Sequence, residues 1–278
     1  MAGSTTVGGT LNINSLTGTK TFTGDVTVNS GGTWNETVND PISFGGSLQN
    51  NGTFNAGTGT HTFSGASKTF SGTISIPKVT VTGTGASYSN NGTMTVSTSL
   101  TVATARTLTN NGTLTVSATL AGAGTLIQGV NATLNIGDLG IDPTLVASAT
   151  GNTVNWNRSG NQTIEGITYY NLATSGTRTK TIGAAVTVNG NLTIGSGTTL
   201  SVSGFDRALS VAGDWTNDGT FDGQAGTVTL NGTVAQTIAG TAATTFNNLT
   251  INNAAGAANY AATTVSGTLT LTAGTFTL

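Results

Sequence analysis

Apolar and polar residues alternate along most of the chain, and one short block of this alternation returns every 20 residues. Its clearest copies are residues 90–96 and 110–116, which both read Asn-Asn-Gly-Thr-X-Thr-Val with Met94 or Leu114 at the variable apolar position. A period of two is typical of a strand with one buried face. The block therefore predicts a strand that points Met94 inward and Thr93 outward.

Seven positions spaced by 20 residues hold threonine, and the residue after each threonine is apolar. The threonine positions are Thr33, Thr53, Thr73, Thr93, Thr113, Thr133 and Thr153. The apolar positions are Trp34, Phe54, Ile74, Met94, Leu114, Leu134 and Val154. A fixed period of roughly 20–50 residues marks a repeat architecture in which each unit buries its apolar face against its neighbours. We therefore predict an outward threonine ladder and an inward core ladder, built from parallel strands about 4.8 Å apart.

The composition favours the same architecture. Glycine contributes 41 of the 278 residues, charged residues are only 6%, and threonine, valine and Asn-Gly pairs are abundant. β-Branched residues suit strands, and Asn-Gly suits turns because both residues accept a positive φ at little cost. We expect an all-β chain that folds as a parallel β-solenoid (β-helix) with rungs of about 20 residues.

The repeat also predicts how the chain is organised. We expect a single elongated β-solenoid over residues 1–278, with N-terminal rungs in 1–30, a regular 20-residue array in 31–156 and less regular rungs in 157–278. The one helix-start signal is Asp142 followed by Pro143, and it predicts a helical turn or a protruding loop within residues 139–147.

Charge and composition exclude several classes of protein. The net charge of −2 comes without a basic patch, which argues against nucleic acid or an anionic membrane as a partner. The absence of cysteine excludes disulfides and thiolate metal sites. No apolar run is long enough to predict a membrane-spanning helix. No signal peptide is visible either, so we expect that one has been removed or that the sequence is a segment of a longer chain.

The second half carries a resemblance to a known family. Residues 214–221 (Asp-Trp-Thr-Asn-Asp-Gly-Thr-Phe), 226–232, 236–238, 245–251 and 267–271 resemble repeats of very large secreted bacterial surface proteins. Those repeats are similar to adhesin and filamentous-haemagglutinin-type β-solenoids. The resemblance is clearest over residues 214–278, and it implies an extracellular or cell-surface protein with a structural or adhesive role.

Candidate catalytic and metal-binding residues are few. Asp214, Asp218 and Asp222 are the acidic residues closest together, and clustered carboxylates would suit polysaccharide cleavage or a calcium loop. Solvent-facing turn aspartates are the simpler interpretation of the three. His61, the only histidine, lies in a strand that alternates with threonine, so we expect it on the surface. We therefore expect no enzyme activity, no metal and no cofactor.

Two surface roles remain as alternatives. Aromatic faces stack on sugars, but Trp34, Trp156 and Trp215 fall in inward positions, whereas one residue of the pair Tyr169-Tyr170 must face outward. Thr-X-Thr patches could order water. These patches are Thr93 and Thr95 with Thr113 and Thr115, then Thr177, Thr179 and Thr181, and finally Thr268, Thr270 and Thr272. An ice-binding or carbohydrate-binding solenoid is therefore the alternative to a structural protein.

The strand-like alternation continues to both ends of the sequence, without a charged loop or an amphipathic helix to cover either end. We expect a rod-like stalk or a self-assembling fibre subunit of a bacterial surface or adhesin, whose ends pair head to tail. The predicted contact consists of Val265, Leu269, Leu271, Phe276 and Leu278 against the first strands of the next copy. The expected partners are copies of the chain itself and host or cell-surface glycans.

Overall fold

The computed structural model describes residues 1–15, 17–202 and 207–278. These residues form β-strands and no helix. The paired strands run parallel, and successive rungs lie about 20 residues apart in the sequence. This confirms the predicted all-β parallel β-solenoid. The chain divides into two compact units, residues 1–146 and 147–278. That residues 1–278 act as one domain stays a prediction.

Unit 1 passes in turn through three parallel sheets. Its strands are β1 (Thr5–Val7), β2 (Thr10–Ile13), β3 (Lys20–Phe22), β4 (Val26–Val28), β5 (Thr33–Glu36), β6 (Ile42–Phe44), β7 (Leu48–Asn50), β8 (Thr53–Asn55), β9 (Thr60–Phe63), β10 (Lys68–Val81), β11 (Ser87–Asn90), β12 (Thr93–Val102), β13 (Thr107–Asn110), β14 (Thr113–Val116), β15 (Thr119–Ala121), β16 (Thr125–Gln128), β17 (Thr133–Ile136) and β18 (Thr144–Val146). Sheet A pairs β1, β4, β7, β10, β11, β13, β16 and β18 in that order. Sheet B has two runs, β2-β5-β8 and β10-β12-β14-β17. Sheet C pairs β3, β6, β9, β10, β12 and β15, because the long strands β10 and β12 continue from one sheet into the next.

Unit 2 also passes in turn through three parallel sheets. Its strands are β19 (Thr153–Trp156), β20 (Gln162–Ile164), β21 (Thr168–Tyr169), β22 (Asn171–Thr174), β23 (Arg178–Ile182), β24 (Val186–Val188), β25 (Leu192–Ile194), β26 (Thr198–Ser201), β27 (Leu209–Val211), β28 (Trp215–Asn217), β29 (Thr220–Asp222), β30 (Thr227–Leu230), β31 (Gln236–Ala239), β32 (Thr244–Phe246), β33 (Asn248–Asn252), β34 (Ala257–Asn259), β35 (Thr263–Val265), β36 (Leu269–Ala273) and β37 (Phe276–Thr277). Sheet D pairs β19, β22, β25, β28, β31, β34 and β37. Sheet E has two runs, β20-β23-β26-β29 and β32-β35. Sheet F pairs β21, β24, β27, β30, β33 and β36.

The core of each unit is built from inward residues of successive rungs. In unit 1 the parallel register places Ile74 beside Met94 and Met94 beside Leu114, and all three side chains are buried. In unit 2 Leu209 lies beside Val228, which lies beside Leu249. Full burial of such a side chain stabilises the fold by about 1.5–3 kcal/mol. Each rung therefore depends on the rungs next to it.

Aromatic residues reinforce the first rungs. Trp34 packs against Phe22 with ring centroids 5.0 Å apart, and Phe44 stacks on Phe63 at 4.9 Å. The predicted burial of Trp34, Trp156 and Trp215 is confirmed, since none of the three is exposed. Of the tyrosine pair, Tyr169 is buried and Tyr170 is half-buried.

Glycine is required in the Asn-Gly turns for a different physical reason from the positive φ that the sequence predicts. Neither Gly92 nor Gly112 has a positive φ. A Cβ at Gly92 would instead lie 2.2 Å from the carbonyl oxygen of Gly72, and one at Gly112 would lie 2.1 Å from that of Gly92. Glycine is needed because successive turns stack at a distance that leaves no room for a side chain.

Of the two alternatives predicted within residues 139–147, the helical turn is wrong, whereas residues 137–143 form a loop in which Leu139 is 56% exposed. No helix occurs in the described residues, and β18 starts directly after Pro143. The amide of Asp142 donates to the carbonyl of Leu120, and that of Thr144 donates to the carbonyl of Gly124. These bonds to the preceding rung take the place of the bonds within a helix.

Candidate functional site

The predicted threonine and core ladders lie in sheet B and in the first strand of sheet D. Registered pairs join Thr33 to Thr53, and join Thr73, Thr93, Thr113 and Thr133 in succession. Thr153 lies beside Asn171, and Val154 beside Leu172. All seven threonines are half-buried or exposed. The core residues are buried except Phe54, which is half-buried and stacks on Trp34 with centroids 5.3 Å apart.

His61 lies in the core, so the predicted surface position is wrong. Its side chain and that of Glu36 are 0% and 1% exposed, and His61 Nε2 lies 3.0 and 3.1 Å from the two carboxylate oxygens. Glu36 also accepts hydrogen bonds from Trp34 Nε1 at 2.6 Å and from the Gly57 amide at 2.7 Å. His61 Nδ1 lies 3.1 Å from the carbonyl oxygen of Gly59.

This Trp34–Glu36–His61 cluster joins strand β5 to strand β9 and to the turn between β8 and β9. Every polar atom of the two ionisable side chains has a partner within the protein, and neither side chain reaches solvent. Buried polar groups stabilise a fold only when they are paired in this way. The arrangement can hold strands in register, but it offers no open position to a substrate.

Two lysines hold turns through their ammonium groups. Lys20 Nζ donates to the carbonyl oxygens of Ser15, Thr17 and Gly18 at 3.2, 2.9 and 2.7 Å, and it contacts Asp40 at 2.5 Å. Lys180, which has no exposed surface, donates to the carbonyl oxygens of Arg158, Gly160 and Thr177 at 2.6, 2.8 and 3.2 Å. Burial, together with the charge of Arg158, lowers the pKa of Lys180 to about 8. We call each of these two arrangements, in which a lysine ammonium group binds three turn carbonyls, a lysine clip.

Amide side chains form a ladder inside sheet A. Asn90 Nδ2 donates to Asn110 Oδ1 at 2.8 Å, and Asn110 Nδ2 donates to Gln128 Oε1 at 2.8 Å. The same two amide groups donate to the carbonyl oxygens of Thr113 and Thr133. All three ladder residues are buried. The ladder ties the last residues of β11 and β13 to the first residues of β14 and β17.

The aspartates at 214, 218 and 222 lie in turns or at the end of a strand and accept hydrogen bonds from a neighbouring rung. Asp214 accepts from the Thr237 amide, and Asp222 accepts from the Ser201 hydroxyl. Asp218 accepts from the amide and hydroxyl of Thr241, and these two bonds lower its pKa. Among the described residues, no group of three or more His, Asp or Glu side chains has a geometry that could hold a metal ion.

The buried polar residues and the half-buried Lys20 share a signal that the sequence does carry. Each lies two positions from an inward apolar residue: Glu36 from Trp34, His61 from Phe63, Lys20 from Phe22, Lys180 from Ile182, and Asn110 from Leu108. In a strand of period two they must therefore face inward. Residue type suggested the surface, whereas strand phase indicates the core.

The last rung exposes apolar side chains. Leu269, Leu271 and Leu278 are 43%, 55% and 88% exposed, and Val265 and Phe276 are half-buried. The first rung is concave, with one cavity of about 410 Å³ beside Ile13 and Phe22 and another of about 300 Å³ beside Val7 and Leu11. Residues 1–19 and 223–278 contain no charged side chain.

Comparisons with family models, curated proteins and solved structures found no match for this chain. Across the described residues, the structure has no helix of the length and apolar character needed to cross a membrane.

Proposed function

We propose that this chain is a structural extracellular protein, a β-solenoid stalk or fibre subunit of a bacterial surface that joins copies of itself head to tail. The observation that carries the proposal is the exposed apolar rung formed by β35, β36 and β37. Each strand of that rung pairs with the preceding rung along one edge. Its other edge leaves backbone donors and acceptors free to pair with a further strand.

Protection against strand pairing is weak at both ends. Proteins usually guard an open strand edge with lysine, proline, a bulge or a covering helix. Residues 1–19 and 223–278 have no charged side chain and no proline, and the one irregularity in β36 follows Leu271. A contact between two different ends does not close on itself, so it propagates as a fibre.

The resemblance of residues 214–278 to adhesin-type repeats supports a location outside the cell. It also supports glycans of a host or cell surface as a second class of partner. A role without catalysis fits the closed Trp34–Glu36–His61 cluster, because both ionisable side chains in it are shielded from solvent.

Light scattering over a range of protein concentrations, followed by negative-stain electron microscopy, tests the proposal. We expect native protein to form unbranched filaments, and the double variant Phe276→Lys, Leu278→Lys to remain monomeric because it places two charges on the contact. The matched control is Thr163→Lys, Thr187→Lys, which adds the same charge at exposed positions of strands that belong to neither the first nor the last rung. Native protein that stays monomeric at every concentration would refute head-to-tail assembly.

A second candidate function, ice binding, is favoured by the registered threonines of sheet B. Thr93 and Thr95 lie beside Thr113 and Thr115, which lie beside Thr133 and Asn135, and none of these six residues is buried. Thermal hysteresis of the native protein, lost on Thr113→Lys, would support this role.

Carbohydrate binding would instead involve Tyr260, which is 75% exposed, and its test is titration with glycans.

A further inference from the structure

Each unit has three sheets, so the last rung of one copy can be rotated against the first rung of the next copy in three ways, which we call settings. The strands of the two copies run parallel in all three settings, so strand direction does not distinguish them. The inference below rests on the proposed head-to-tail assembly and identifies which strands meet.

The lysine clips relate the sheets of unit 1 to those of unit 2. Lys20 lies in sheet C and Lys180 in sheet E, and each ammonium group holds three turn carbonyls. Each lysine is followed by threonine and then by a buried apolar residue, Phe22 or Ile182. Sheets C and E are therefore equivalent positions of the rung.

A bridge within unit 2 gives the same equivalence. Ala147, which directly follows β18 of sheet A, pairs in parallel with Tyr169 of β21 in sheet F. The chain passes through the sheets in the order A, B, C in unit 1 and F, D, E in unit 2. Sheet A thus corresponds to sheet F, and sheet B to sheet D.

We propose that β36 of one copy pairs in parallel with β1 of the next, while β37 meets β2. In this setting Leu271 lies beside Val7, and Thr270 lies beside Thr6. Both pairs extend columns that already exist, since Thr250 pairs with Thr270 in sheet F and Thr6 pairs with Thr27 in sheet A. The partner of the exposed rung is therefore the concave first rung of a second copy.

The inward faces also agree where β37 meets β2. Phe276 and Leu278 come to lie over Leu11 and Ile13, beside the two cavities of the first rung. Met1 of the next copy lies along the free edge of β3, because its amine donates to the Thr21 carbonyl at 2.7 Å and its carbonyl accepts from the Thr23 amide, so Met1 rather than β3 faces β35. No charged side chain of the last rung opposes the contact, and the Lys20 ammonium is already occupied by its own turn and by Asp40.

Cysteine pairs test the setting, because the native chain has no cysteine. Neighbouring parallel strands lie about 4.8 Å apart, which suits the Cα separation of a disulfide. We expect Thr6→Cys, Thr270→Cys to form a ladder of covalent oligomers on a non-reducing gel after mild oxidation. The matched pairs Asn12→Cys, Thr270→Cys and Thr21→Cys, Thr270→Cys represent the other two settings, and we expect no ladder from them. All four positions are exposed.

The outcomes separate this inference from the function on which it rests. Filaments that give a ladder only with one of the matched pairs overturn the setting and leave head-to-tail assembly in place. Filaments that give no ladder with any pair overturn contact through β36. Monomeric protein under the same conditions overturns the proposed function itself, together with the inference.

Discussion

At the scale of single residues, most polar side chains described in the solenoid interior are hydrogen-bonded within the protein, although Gln128 Nε2 and Trp215 Nε1 are buried without a partner. Glu36 and His61 are the clearest pair, because both lie in inward phase and both are fully paired. An unpaired polar group in the same environment would cost about 1–3 kcal/mol or more. Inward positions therefore differ sharply from outward positions one residue away.

That difference can be measured at adjacent positions. Leu114 has no exposed surface, whereas Thr113 is half-buried on the opposite face of strand β14. We expect Leu114→Asp to lower the free energy of unfolding by several kcal/mol, because it buries an unpaired charge, and Thr113→Asp to lower it by about 1 kcal/mol or less. Urea unfolding gives both values. Equal losses would contradict the inward assignment of Leu114.

Removing one member of the buried cluster tests its role in stability. Glu36→Ala leaves His61, Trp34 Nε1 and the Gly57 amide without their acceptor, so we expect a loss of about 3–5 kcal/mol. The control is Lys68→Met, since Lys68 pairs with Asp25 at 3.7 Å with both side chains at least one-third exposed. Such surface pairs contribute about 0–1 kcal/mol. Comparable losses of unfolding free energy from the two variants in urea would show that the buried cluster contributes no more stability than a surface ion pair.

The Lys180 clip predicts a dependence of stability on pH. Its pKa is about 8 in the folded protein and 10.5 in the unfolded chain, so between these values the unfolded state binds more protons. The free energy of unfolding therefore rises with pH across that window. We expect the unfolding free energy of native protein minus that of Lys180→Met to increase from pH 8 towards pH 10.5, because only the native protein carries the lysine that titrates. A difference that stays constant or falls would contradict the assigned environment of Lys180.

At the scale of strands and turns, the stacking distance decides which residues each turn can hold. Gly92 lies where a Cβ would meet the Gly72 carbonyl at 2.2 Å, whereas a Cβ at Gly9 would have open space around it. We expect Gly92→Ala to lower the free energy of unfolding by about 1–3 kcal/mol, because backbone would have to move, and Gly9→Ala to have little effect. Thermal unfolding compares the two. Equal midpoints would argue against the tight stacking of the Asn-Gly turns.

The strands were predictable because alternation and a 20-residue period are properties of the sequence itself. The burial of Trp34, Trp156 and Trp215 followed from the same phase. The position of His61 was missed because residue type was allowed to outweigh phase, although Phe63 two positions later marks the inward side. The Lys180 clip was not predictable in the same way, because two of its acceptors, the carbonyls of Arg158 and Gly160, lie about 20 residues earlier and come close only when the chain winds.

The sequence also predicted a helix start that did not form. Asp142 and Pro143 carry a local signal worth about 1 kcal/mol, while the preceding rung offers backbone partners to the amides of Asp142 and Thr144. In a solenoid the backbone of each segment forms hydrogen bonds with the preceding rung, and these bonds fix the register of the segment. Local propensity therefore decides less here than the position of each segment in the repeat.

At the scale of the whole molecule, the proposed function depends on what covers the last rung. The contact proposed here uses the same parallel pairing and the same inward columns that hold each unit together. Its strength should therefore resemble that of a contact between neighbouring rungs, which makes assembly sensitive to charge at Phe276 and Leu278 and insensitive to charge on interior outward threonines.

X-ray diffraction from an aligned sample of native protein tests the central claim most directly. If copies join end to end through continued parallel pairing, the strands run across the filament, and the strand spacing of about 4.8 Å lies along its long axis. We predict an oriented reflection at that spacing on the meridian. A reflection at the same spacing on the equator, or protein that forms no filaments to align, would contradict the account.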